Sequence, residues 1–102
     1  MYQNSYQAVR ALGPEEPDPN IFRASFNYIT SKLGIADKDV AIIMGLTQAN
    51  FALMKGRGNL RMDRMVGVVH ALNLLIDARR EGDLKDAPRV ELEHLYGIKE
   101  YV

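Results

Sequence analysis

The sequence predicts a small all-α domain of four to five short helices. Three observations lead there. Apolar residues recur at three- and four-residue spacing through most of the chain, as in Phe22, Phe26, Ile29 and Leu33, the period of a helix with one buried face. Glycines punctuate these runs at Gly34, Gly45 and Gly82. Strict alternation is confined to Val90-Glu91-Leu92-Glu93, so strand-like patterning is brief.

The chain has 102 residues, enough for one modest core. It contains no cysteine, which excludes a disulfide framework, thiolate chemistry and Cys-based metal sites. That composition suits a reducing cytoplasm. No apolar run approaches the roughly 20 residues of a membrane span, and no secretion signal is visible at the N-terminus. Net charge is zero, yet its distribution is uneven. Residues 47–64 carry Lys55, Arg57, Arg61 and Arg64 against Asp63, a local balance of +3. Residues 77–102 balance at −2 and residues 1–46 at −1.

In order, residues 1–20 form an N-terminal arm. Gly13-Pro14-Glu15-Glu16-Pro17-Asp18-Pro19 is a breaker-rich acidic linker. Tyr2, Tyr6, Val9 and Leu12 before it can line a short helix, or the arm can stay without fixed structure. Asn20 is the expected N-cap of a first helix that ends at Gly34. A second helix is expected over residues 37–44 and a third over 48–55. Gly45 between them can take positive φ at no steric cost. Thr47 can cap the third helix through its hydroxyl. Ala41, four residues before Gly45, is small enough to let the two helices cross closely. Two short helices with a tight glycine turn are the mark of a helix-turn-helix.

The segment 56–59 is expected as a loop, with Asn59 capping a fourth helix over residues 60–80. Met62, Met65, Val69 and Leu72 should face its core. Leu74, Leu75 and Ile76 extend the apolar surface beyond this. Such an excess suits a subunit contact, or a C-terminal segment folded back over it. Residues 83–102 are an extension of ambiguous pattern, read as a short helix in which Val90, His94 and Leu95 share a face. Glu91, Glu93 and Asp83 read as a solvated acidic tail, and His70 as a partly buried, hydrogen-bonded side chain. No acid–base pair, nucleophile constellation, phosphate loop or metal-ligand spacing is present in the sequence, and no cofactor is implied.

The stretch from Val40 to Met54, with Ala41, Gly45, Met44, Leu46 and Phe51, resembles the helix-turn-helix of phage repressors of the Cro/CI type, the Xre-like regulators. Asn59 to Leu72 resembles that family's fourth helix, and the likeness covers roughly residues 21–76. It implies a lambda-repressor-like bundle, with residues 21–82 as a DNA-binding domain acting in the cytoplasm as a repressor or antitoxin-like transcriptional regulator. It also implies a homodimer on a palindromic site in double-stranded DNA, with a toxin or another regulator as a further protein partner. The third helix would enter the major groove by its N-terminal end. Gln48 and Asn50 would read bases, since a side-chain amide matches adenine. Thr47 would bond a phosphate or base edge, and Ala49 would touch a thymine methyl. Lys55, Arg57, Arg61 and Arg64 would hold phosphates and set the register. The chain departs from the family at Ala36, Asp37, Phe51, Leu53 and Gly56. Those departures, and the zero net charge, leave a second expectation: a module of the same fold that binds protein instead of DNA.

Overall fold

The computed structural model describes residues 16–57 and 60–102, with Arg57 described in its backbone alone. Among these residues there are five helices and no strand: α1 (Pro19–Leu33), α2 (Asp37–Ile43), α3 (Gln48–Arg57), α4 (Met62–Ala78) and α5 (Leu92–Leu95). The all-α class read from the spacing is what the chain adopts. Among the described residues, no helix is long and apolar enough to cross a membrane.

Helix α1 begins two residues earlier than expected, at Pro19, which needs no N–H partner in the first turn. Asp18, not Asn20, caps it: the carboxylate accepts from the Asn20 and Ile21 amides at 2.8 and 3.2 Å. The Asn20 side chain instead accepts from Arg23. Phe22, Phe26, Ile29 and Leu33 are all buried, as their period requires. The helix closes at Gly34 (φ 67°), where the Ile35 amide reaches back to the Thr30 carbonyl. Arg79 donates to the Gly34 carbonyl and pairs with Asp39 at 3.4 Å, fastening this corner to the end of α4.

Helix α2 ends by the same device. The Gly45 amide donates to Ile42 and the Leu46 amide to Ala41, with Gly45 at φ 72°. These two bonds satisfy carbonyls that the last turn would otherwise leave open. Val40 and Ala41 are buried at 0% and 1% exposure. Helix α3 then buries Phe51 and Met54, and Phe51 meets Phe26 with ring centroids 5.6 Å apart. It runs on through Gly56 and Arg57, which were expected in a loop. Gly58 and Asn59 lie outside the described residues.

Helix α4 starts at Met62, with Arg61 at its N-cap and no side-chain bond there. Met62, Met65, Val68, Ala71, Leu72 and Ile76 form its buried stripe. Val68 takes the place expected of Val69, which is only half-buried, while Val66 and Leu74 lie at the surface. Of the apolar excess, Ile76 is fully buried and Leu75 half-buried. The cover is the chain's own C-terminal segment. Leu84, Val90, Leu92, Leu95 and Tyr101 belong to the same core as α1 and α4. Residues 83–102 are therefore a wall of the core. Helix α1 packs against α3 on one side and α5 on the other.

Candidate nucleic-acid interface

Helix α3 is placed by two buried anchors and a cap. Phe51 and Met54 fix its inner face against α1 and α2. The Thr47 hydroxyl accepts the Asn50 amide at 3.0 Å, so the cap read from the sequence is present. That bond fixes the hydroxyl's orientation while leaving its proton free to donate. Thr47, Gln48, Ala49 and Asn50 are all exposed, so the first turn of α3 stands clear of the body.

At 3.6 residues per turn, Gln48 and Asn50 project about 160° apart around the axis. They border the exposed ridge from its two sides. The ridge itself carries Ala49, Ala52, Leu53 and Gly56, all exposed, with Leu53 at 53%. Its middle is small and apolar.

The basic residues separate into two kinds. Lys55 is turned inward, with its side chain only 14% exposed. It pairs with Asp37 at 2.7 Å, donates to Asn27 at 3.0 Å, and sits 4.9 Å from the Phe26 ring centre. It fastens the end of α3 to the start of α2. Arg61 is exposed and meets Asp63 at 3.6 Å, with both side chains more than 60% accessible, a pairing that holds an arginine only weakly. Arg64 is half-buried, at a shallow cleft that it shares with Ile43, Met44, Gly67 and His70. The Arg57 side chain lies outside the described residues.

Three residues carry roles that the spacing did not reveal. Arg23 donates to the carbonyls of Lys55 and Gly56 at 3.0 and 2.8 Å. A cation there satisfies open carbonyls near the end of α3 and complements its dipole. Lys38, in the first turn of α2, is exposed and adds a cation close in sequence to the motif. His94 is buried, and its Nδ1 accepts the Glu91 amide at 2.8 Å, closing the first turn of α5. His70, expected to be partly buried, is at the surface, because its position on α4 falls opposite the buried stripe. Glu93 is not solvated as expected: one carboxylate oxygen is buried and has no hydrogen-bond partner among the described residues. Among the described residues, no group of three or more His, Asp or Glu is placed to hold a metal.

No protein-family model, no curated protein and no solved structure matches this chain.

Proposed function

We propose that the chain is a sequence-specific DNA-binding transcriptional regulator of the cytoplasm, a repressor or antitoxin-like protein, with α2 and α3 as its helix-turn-helix. The observation that carries this reading is the first turn of α3. It is capped by Thr47, free of the body, and offers two amide side chains, Gln48 and Asn50, at its borders. A helix presented in this way suits entry into the major groove by its N-terminal end. Arg61, Arg64 and Lys38 supply positive charge for phosphates, with Arg57 as a further cation of the sequence. Lys55 has its own partners and is left out of this set.

The likeness to Cro/CI-type regulators further proposes a homodimer on a palindromic site. Sedimentation at micromolar concentration then gives twice the 11.5 kDa of the chain. A monomer both free and on DNA rules the dimer out. Of Leu74, Leu75 and Ile76, the apolar excess that suits a subunit contact, Ile76 is covered by the C-terminal segment and Leu75 is half-buried, while Leu74 and Val66 are exposed on α4.

One observation favours a second reading. The apolar ridge of Ala49, Ala52, Leu53 and Gly56 is what a partner helix would pack on, and a module built that way binds protein. The deciding experiment is selection of duplexes from a random library, followed by titration of the selected duplex at several salt concentrations. Phosphate contacts require affinity to fall as salt rises. No selected sequence and no salt-dependent binding would overturn the DNA reading.

A further inference from the structure

On the side of α1 away from α3, Ser25, Tyr28 and Ile29 face His94, Lys99 and Tyr101 across a pocket of about 360 Å³. That volume is in the range of small-molecule sites. The chemistry of its lining is specific. His94 is 6% exposed, and its Nδ1 accepts the Glu91 amide at 2.8 Å. A ring nitrogen that accepts cannot hold the proton, so the neutral imidazole carries it on Nε2. Nε2–H has no hydrogen-bond partner among the described residues. The Tyr101 ring stands edge-on to the imidazole, with centroids 5.3 Å apart, and keeps it from turning. The Tyr101 hydroxyl is spent on the Pro88 carbonyl at 2.6 Å, which leaves its ring as an apolar wall. Ile29 and the Tyr28 ring complete that wall, and the half-buried Ser25 adds a hydroxyl.

The charges at the rim cancel. Lys99 pairs with both carboxylate oxygens of Glu91, at 3.1 and 3.2 Å, and Glu100 brings a negative charge to the lining. Lys32 lies over the Tyr28 ring at 5.7 Å. Of the side chains that line the pocket, Lys99 and Glu100 carry opposite charges, which leaves little net attraction for an ion. A ring donor on the wall of the pocket, set among aromatic side chains, suits a neutral, flat molecule with one accepting oxygen.

We propose that this pocket binds a small neutral aromatic molecule carrying a carbonyl oxygen, with that oxygen accepting from His94 Nε2–H and its ring lying against Tyr28, Ile29 and Tyr101. The inference is independent of the reading of α3, and its test contains no DNA.

The experiment is a titration of the full chain with benzamide, following the His94 ring carbon–proton signal and the amides of Ser25 and Gly97 by nuclear magnetic resonance. These signals should shift together and saturate in the low-millimolar range. Benzoate, of the same shape but charged, should bind about tenfold more weakly, since nothing at the rim repays its desolvation. Ser25→Leu fills the pocket from α1 and should abolish the shifts with an unchanged melting curve. If that variant fails to fold, Ala24→Leu adds the same bulk from an exposed position. His94→Asn offers Glu91 an oxygen in place of Nδ1 and leaves an N–H donor that ends short of the Nε2 position, so benzamide should bind about tenfold more weakly. The absence of saturation, equal shifts in the filled variant, undiminished binding to His94→Asn, or tighter binding of benzoate than of benzamide would overturn the proposal.

Discussion

The side-chain amide of Asn73 pairs with both backbone groups of Val90, donating to its carbonyl at 2.9 Å and accepting its N–H at 2.8 Å. Asn73 sits on the buried stripe of α4 at 8% exposure, so this polar pair lies within the core. It lets a stretch without regular structure cross an apolar surface with its backbone satisfied. Asn73→Leu keeps the volume but strands a buried donor and a buried acceptor. Stability should fall by about 2–3 kcal/mol, seen as a lower urea midpoint. An unchanged midpoint would mean that water reaches Val90.

Two glycines separate backbone strain from crowding. Gly45 has φ 72° and open space where a Cβ would stand. Gly45→Ala should cost about 1 kcal/mol from the left-handed conformation alone. Gly97 has φ 73° and would place a Cβ 2.6 Å from Cγ2 of Ile21. Gly97→Ala should therefore cost roughly twice as much. Thermal melts of both variants make the comparison, and equal losses would mean that Ile21 yields freely.

Much of this architecture was legible because its signals are local. Phe22, Phe26, Ile29 and Leu33 repeat at helical spacing within a single helix, and Gly45 and Thr47 act on atoms a few residues away. What escaped depends on distant neighbours. Asp18 displaced Asn20 as the cap because Asn20 is taken by Arg23, itself turned toward the end of α3. Lys55 looks like a free cation in the sequence, and only the fold brings Asp37 and Phe26 to it. Val68 and Val69 are adjacent and identical in chemistry, so the register of α4 was settled by what packs on it. Nothing near His94 in sequence marks its ring as the acceptor of the Glu91 amide at the N-cap of α5.

The contrast between Lys55 and Arg61 gives a test within the proposed interface. Lys55→Met should lower stability by about 1 kcal/mol, a partly exposed ion pair being lost, and leave the salt dependence of DNA binding unchanged. Arg61→Ala should leave stability alone and flatten that dependence by roughly one unit. Gln48→Ala and Asn50→Ala should each cost about 1–3 kcal/mol on the preferred duplex and relax discrimination at one base pair. Matched and scrambled duplexes titrated in parallel supply the measurement. An unchanged ratio between them in both amide variants would show that α3 does not read sequence.

Acid should loosen the C-terminal segment. Burial pushes the His94 imidazole below its ordinary pKa of 6.5, while the nearby Glu91 acts in the opposite direction. The unfolded chain therefore takes up a proton at a higher pH than the folded one. Stability from this group is full above about pH 6.5 and is lost as pH falls toward the folded value. Protonation at Nδ1 also ends its bond with the Glu91 amide. Melts between pH 7 and pH 5 should show a decline that is reduced in His94→Asn. The same slope in both would assign the decline to other groups.

The position of Leu92, Leu95 and Tyr101 in the core bears on how the chain is made. Synthesis delivers α1 to α4 first, with the apolar flank that these residues cover still open to water. The hydrophobic wall is complete only once Tyr101 has left the ribosome. Closure of this core then waits on the synthesis of this segment, and a nascent chain stalled after α4 would carry an open apolar face of the kind chaperones guard.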